Sequence, residues 1–404
     1  MASCKPAQRF RPSSTSKRLA CVLIVASFCT SLVFIPWTFR NQVMLELSPE
    51  ILTRAFEDGN QPLILLWTTV WQETVTEQRL KGDLRNLTCF GKEITCNISD
   101  ERQLMPQASV LLFHARDVSL QDLPRKKFAR QPWILWNHEA PHNSPIRVYE
   151  GGENLFDFEL SYRHSADIYA PYGYIVKEHR GNFSHIEDYM PDLRKRFYSQ
   201  VGAAWLVSNC KTEGGREDYV NELRQYFPVD VHGRCGNHRC QNLAADSCMW
   251  EISNKYMFYL AFENSLCPDY VTEKLFRTLQ YPIIPVVLSG PRKPFVDGLD
   301  LFVDASNLAP KELALRLDEI ARNFTQYAQY YTWRMRYSAY PQQHPLCHVC
   351  ETIHKGRSHY AMLPTRRHTL VDMLNHKACR RWDKHTKQFE PVSTVSRFFW
   401  ESYK

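Results

Sequence analysis

The stretch KYMFYLAFENSLCPDYVTEKLFRTLQYPIIPVVLSG, residues 255–290, leaves this chain the fewest choices of fold. From Lys255 to Phe262 apolar side chains alternate, with Tyr256, Phe258, Leu260 and Phe262 facing one way, the two-residue period of a strand. From Tyr270 to Gln280 the spacing becomes helical, with Val271, Leu275, Phe276 and Leu279 on one stripe and Asp269 placed to cap the first turn. The apolar run Ile283 to Leu288 predicts a second strand, closed by Gly290. Strand, loop, helix and strand make the unit of an open parallel sheet, which binds its ligands where the strands end. The loop carries Glu263, Asn264, Asp269, Tyr270, Thr272, Glu273 and Lys274 at that edge. A cation at the start of a helix suits an anion such as phosphate; taken alone, Glu273 and Lys274 read as well as a solvated pair.

The rest of the chain repeats the pattern. Pro62–Val70, Ser109–Phe113, Trp133–Trp136, Ala203–Val207 and Pro228–His232 read as short buried strands, and 216–227 and 310–324 as helices. A charged segment from Met190 to Val201 marks a boundary, giving domains at 62–195 and 196–365 and a basic, aromatic tail at 366–404. The reading is α/β throughout.

Leu19 to Phe39 holds no charge and has the length, about 20 residues, of a transmembrane helix. Lys5, Arg9, Arg11, Lys17 and Arg18 precede it and Glu46 and Glu50 follow, so the positive-inside rule keeps residues 1–18 cytosolic and places everything beyond the span outside the cytosol. The expectation is a signal anchor at 19–39 and a stem at 40–61. Much of the formal charge of +7 belongs to that first segment, which gives no support to nucleic-acid binding. Glycosylation sequons at Asn86, Asn97, Asn182 and Asn323 and ten cysteines in the body agree with an oxidising lumen.

FENSLCPDYVTEKLF followed by IPVVLSG is very similar to the donor-binding motif of the α1,3/4-fucosyltransferases, and LSYR (160–163), PYGY (171–174) and VSNC (207–210) fall in family order. The resemblance runs from about Leu63 to Cys350 and is nearest to the invertebrate or core-type enzymes. It implies a GT-B-like architecture of two Rossmann-like domains facing across a cleft, the first for acceptor and the second for GDP-fucose. It implies donor contacts by Ser208, Asn209, Tyr172, Tyr259, Asn264, Tyr270 and Glu273, and an acceptor contact by Gln72. It also pairs Cys89 and Cys96 with Cys347 and Cys350; a zinc reading of Cys347-His-Val-Cys350, completed by Cys235 and Cys240 or by His354, is the alternative.

Inverting sugar transfer needs one carboxylate to take the proton of the attacking hydroxyl. Glu139 in WNHEAPH is the candidate, where the family has E-S-P and this chain has E-A-P; His138 and His142 are rival bases, and His142 is also a candidate acceptor contact. No D-x-D pair is present to hold a metal on the diphosphate, and the nearest, Asp157-Phe-Glu159, lies in the first domain. Arg216 and Lys274, each starting a helix, are expected to grip the diphosphate instead, with no required metal and Mn²⁺ at most a stimulant. The expected enzyme is a Golgi, type II α1,3-fucosyltransferase that moves L-fucose from GDP-fucose to an N-acetylglucosamine of a glycoprotein glycan, the core residue ahead of an antennary one. Fucose transfer to protein hydroxyls, or an inactive membrane-tethered lectin or scaffold, are the other readings.

Overall fold

The structure is a computed structural model and describes residues 61–80, 88–89, 92–93, 96–125, 131–143, 155–238, 246–291, 298–355 and 379–392. The expected cytosolic tail, membrane span and nearly all of the stem lie outside the described residues, as do Asn86 and the side chain of His142. Among the described residues no helix is long and apolar enough to cross a membrane.

Six strands form the first sheet: β1 (Leu63–Leu66), β2 (Asn97–Ser99), β3 (Val110–His114), β4 (Trp133–Asn137), β5 (Phe158–Ser161) and β6 (Ile168–Tyr169). All are parallel, in the order β2-β1-β3-β4-β5-β6. After β7 (Gly173–Lys177), a second parallel sheet follows with β8 (Ala203–Leu206), β9 (Val229–His232), β10 (Phe258–Phe262), β11 (Ile284–Leu288) and β12 (Val303–Asp304), ordered β9-β8-β10-β11-β12. β13 (Tyr337–Pro341) runs antiparallel to β7, and β14 (Arg380–Asp383) pairs with β15 (Gln388–Pro391) in a hairpin. In each sheet the order reverses beside the first strand, between β1 and β3 and between β8 and β10. Such reversals open a crevice at the carboxyl ends.

The strands form because both faces of each sheet are covered, which favours unbroken apolar runs such as VLLFH and FYLAF over alternating ones. Phe258, Leu260 and Phe262 of β10 face α1 (Arg216–Leu223) and α4 (Pro310–Arg322), while Tyr259 and Ala261 face α2 (Asp246–Lys255) and α3 (Glu273–Thr278). α4 buries Leu313, Ala314, Leu317 and Ile320 along one stripe, each leucine worth about 1.5–3 kcal/mol of burial. Its start is fixed by Pro310 in the first turn and by Glu312, whose Oε2 accepts the Ala309 N–H at 2.8 Å.

Three expectations change. The opening strand begins at Phe258, because α2 runs through Lys255 and Tyr256 turns to donate its hydroxyl to Asp230 Oδ2 at 2.6 Å. The helix expected at 270–280 is confined to Glu273–Thr278, for a reason that belongs to the site. α5 (Pro345–Lys355), expected within the second domain, packs Leu346, Val349, Cys350 and Ile353 on the first sheet. It is held there by disulfides Cys89–Cys347 and Cys96–Cys350, the expected pairing. Those bonds also overturn the zinc reading. Cys96, Cys350 and His354 are the one group of three ligating side chains found among the described residues, and both of its sulfurs are bonded.

Candidate functional site

Glu263, at the end of β10, organises the loop after it. Its side chain is fully buried: Oε1 accepts the Thr272 N–H at 2.8 Å and the Thr272 hydroxyl at 2.9 Å, and Oε2 pairs with Lys274 Nζ at 2.9 Å. The carboxylate thus caps the chain entering α3, the task expected of Asp269. Asp269 has φ +62, so the chain turns there and extends through Thr272 before the helix can begin, which is why α3 is short. Burial raises the Glu263 pKa, and Lys274 opposes the shift.

Lys274 spends its three N–H groups within the loop, on Thr272 Oγ1 at 2.7 Å, Glu263 Oε2 at 2.9 Å and Glu273 Oε1 at 3.1 Å. Burial works against the ammonium, but Glu263 and Glu273 outweigh it and hold the pKa above the ordinary lysine value. The Glu273 side chain is 61% exposed and is the partner that can move. Arg216, only 4% exposed, stands at the crevice between β8 and β10. It donates to Phe262 O at 2.7 Å, Asn209 O at 3.2 Å and Glu217 Oε1 at 3.1 Å, which ties the ends of the two strands together. Ser208 and Asn209 are exposed on the same edge, and Asn264 Oδ1 is buried with no hydrogen-bond partner.

Opposite lies the carboxyl edge of the first sheet. Glu139 follows β4; its N–H donates to Asn137 Oδ1 at 3.1 Å, and Asn143 Nδ2 donates to its Oε2 at 3.2 Å. Burial raises its pKa above that of an ordinary glutamate, against the opposing pull of Asn143, Arg116 and Lys274, while Glu273 adds to the rise. The Glu139 carboxylate therefore feels the charges of the second domain's loop. His138 is not a competing base. Its Nδ1 accepts from Trp136 Nε1 at 2.6 Å, its Nε2 hydrogen faces Ala170 O at 2.8 Å, and burial pushes the imidazole down to about 3.

The two halves meet through aromatic rings. Tyr270 lies 5.0 Å from Tyr162 and 6.2 Å from Tyr172 between ring centres, and the Tyr172 hydroxyl donates to His138 O, one residue from Glu139. Gln72 is exposed in a tight turn after β1, where Trp71 and Gln72 both have positive φ and the Trp71 N–H donates to Asp117 Oδ2 at 2.6 Å. Trp71 is 48% exposed, with the Arg116 guanidinium 4.7 Å from its ring centre.

Two family models match, the fucosyltransferase N-terminal model over residues 59–173 and the glycosyltransferase family 10 (fucosyltransferase) C-terminal model over 198–368. The 4-galactosyl-N-acetylglucosaminide 3-alpha-L-fucosyltransferase FUT6 of Pan troglodytes is 34% identical over 281 residues, 68% of this chain and 73% of that one. The chain belongs to glycosyltransferase family 10. Alpha-(1,3)-fucosyltransferase C of Drosophila melanogaster is 29% identical over 72% of this chain and 73% of its own length. A crystal structure of an alpha1,3-fucosyltransferase with GDP-fucose overlays with a TM-score of 0.46 at 15% identity, covering 76% of this chain and 92% of that one.

Against the expectations for this fucosyltransferase, the fold brings Glu139, Tyr172, Ser208, Asn209, Arg216, Asn264, Tyr270, Glu273 and Lys274 to the two facing edges. Tyr259 is the exception: the strand period turns it under α2 and α3, where it is 6% exposed in the core. Arg216 is a buried tie between strands, not a free charge. Sequence reasoning placed Glu263 in the loop without giving it a task, although an acid at the end of an apolar strand, upstream of T-E-K, signals a buried counter-ion. The Trp71 ring was missed altogether. Asn97, Asn182 and Asn323 are exposed, as acceptors of a glycan must be.

Proposed function

We propose that this fucosyltransferase uses GDP-fucose and transfers L-fucose, with inversion, to a hydroxyl of N-acetylglucosamine in a glycoprotein glycan. The observation that carries the reading is the meeting of the two edges beside Glu139, where Tyr270 of the second packs on Tyr172 of the first and the Tyr172 hydroxyl donates to His138 O; burial raises the Glu139 pKa there and Lys274 opposes the rise. A carboxylate whose proton affinity burial raises, set opposite a cation, is the pair that such a transfer needs.

In this reading Glu139 takes the proton from the acceptor hydroxyl as its oxygen bonds to the anomeric carbon of fucose. On the opposite face the bond from that carbon to the phosphate oxygen breaks and GDP leaves, so the β-linked donor gives an α-linked product. The diphosphate displaces the exposed Glu273 carboxylate from Lys274, whose buried partner Glu263 stays in place. Arg216, which gives three of its five N–H groups to Glu217, Phe262 O and Asn209 O, holds the strand ends around it. Asn264 Oδ1, Ser208 and Asn209 meet sugar or ribose hydroxyls, and freed Glu273 accepts from them. Gln72, with Trp71 beside it, faces the acceptor. The catalytic body works in the Golgi lumen behind an anchor at residues 19–39, and no metal is required.

The acceptor has two readings. The core residue of N-glycans is the sequence expectation, while relatives named for 4-galactosyl-N-acetylglucosaminides favour the antennary unit. Incubation with GDP-fucose and a panel of defined glycans, followed by mass analysis, separates them. In the same assay Glu139→Gln is expected to lose turnover while still binding GDP, and Lys274→Ala to bind donor weakly. Full activity in either variant overturns the reading.

A further inference from the structure

The hairpin of β14 and β15 lies beyond residue 368, where the matched family region ends, yet it touches both loops of the donor reading. Cys379 is disulfide-bonded to Cys267, and the Arg380 N–H donates to Leu266 O at 2.9 Å. Both partners belong to the loop between β10 and α3. Two residues on, the Trp382 N–H donates to Gly214 O at 2.9 Å, and the Gly214 N–H donates in turn to Asn264 O at 2.9 Å. One strand is thus laced to the glycine turn before Arg216 and to the loop before Lys274, and the two are laced to each other.

The packing fits this arrangement. Trp382 is 1% exposed, its ring 5.2 Å from Tyr219 of α1 and 5.1 Å from Phe389 of β15. Gly215 has φ +67, and a Cβ there would stand 2.4 Å from Trp382 O, so the close approach leaves no room for a side chain. Lys387 Nζ pairs with Glu222 Oε2 at 2.6 Å. At the root of the hairpin, Val392 is buried in one cluster with Tyr162, Tyr270 and Ala140, the neighbour of Glu139.

We propose that this hairpin is a working part of the donor site, with Cys379 and Trp382 as positioning residues. They hold the Gly214–Gly215 turn and the Leu266–Cys267 segment at the spacing a nucleoside-diphosphate sugar needs. The proposal rests on the donor reading above and deepens it. Loops at strand ends open locally at little cost, and a covalent link with two main-chain hydrogen bonds removes those openings. Linkage makes the effect reciprocal: whatever the docked hairpin adds to donor affinity, the bound nucleotide adds to docking of the hairpin.

The test uses the full-length chain in detergent, as wild type, C267A/C379A, W382A and W382F, with GDP and GDP-fucose as probes. Donor KM is expected to rise roughly tenfold or more in C267A/C379A and W382A, by misplacement of groups around the diphosphate. Acceptor KM stays unchanged, W382F stays close to wild type, and in wild type GDP slows hydrogen exchange of the Arg380 and Trp382 amides. A merely structural hairpin would lower the amount of active enzyme, and so Vmax, while leaving donor KM alone. That result, or exchange that GDP does not slow, overturns the proposal; if the variants do not fold, the wild-type exchange measurement decides. Wild type that binds no GDP sinks the donor reading, and the proposal with it, whereas normal GDP binding with unmoved donor KM sinks the proposal alone.

Discussion

The clasp that returns α5 to the first sheet makes a quantitative prediction, because its two disulfides share nearly the same loop. Cys89–Cys347 and Cys96–Cys350 span sequence separations of 258 and 254. A loop of that size, closed by one bond, removes about 5.5 kcal/mol of unfolded-state entropy. With one bond in place, the second closes a ring of only roughly ten residues, worth about 3 kcal/mol. Either double-alanine variant, C89A/C347A or C96A/C350A, should therefore cost about 3 kcal/mol, and the quadruple variant about 8, within the 5–15 kcal/mol of a whole domain. The expected result is two tolerable losses and one that releases α5 from Ile64, Leu66 and Leu112. Hydrogen exchange of the β3 and β4 amides across a urea series, with each variant compared at its midpoint, reads these differences directly. If each bond alone costs as much as the pair, or if the costs simply add at about 5.5 each, the shared-loop reasoning fails.

The other predictions concern the site. Since burial holds the Glu139 pKa above the ordinary glutamate value, kcat/KM should fall on the acid side at a pH above that value, as the base becomes protonated. Asn143→Ala removes a donor that favours the charged carboxylate, so the acid limb should move to higher pH; a shift to lower pH, or none, contradicts the geometry. Glu263→Gln takes the charge from a fully buried partner of Lys274 and Thr272 and should cost about 3 kcal/mol, the low end for breaking a buried pair because Glu273 remains. Thermal denaturation checks it, and an unaltered Tm would mean that the loop does not depend on this carboxylate.

Much of the architecture was legible because it rests on period and burial. Runs such as SVLLF and AAWLV admit little besides buried strands, and the 13-residue α4 shows its apolar stripe openly. α5 was harder. Its sequence PLCHVCETIHK fits either domain, and what assigns it to the first sheet is contact with Ile64, Ile134 and Leu160, residues far away in the chain. The short β2 and β5 were missed for a similar reason, since three or four residues carry too little pattern to stand out from a loop. The hairpin at 380–391 reads as a charged tail because its apolar content is little more than Trp382 and Phe389, and both find their partner in Tyr219.

The site shows a different limit, one set by charge. Sequence presents Arg216 and Lys274 as two cations, which suggests two free hands for a diphosphate. Folding places each beside an acceptor that precedes any ligand: main-chain carbonyls and Glu217 for Arg216, Glu263 and Glu273 for Lys274. This follows from burial, because a cation left without a partner at a sheet edge would cost several kcal/mol. Lys274, with all three N–H groups committed, would bind an anion by exchange, and exchange needs one partner that is fixed and one that is not. Glu263, with both oxygens committed and no exposure, meets the first condition; Glu273, with its side chain largely in solvent, meets the second. In the proposed donor reading, the pairing of F-E-N with T-E-K in one loop is then a single device, in which the first acid keeps the lysine in place and the second would yield it to the donor.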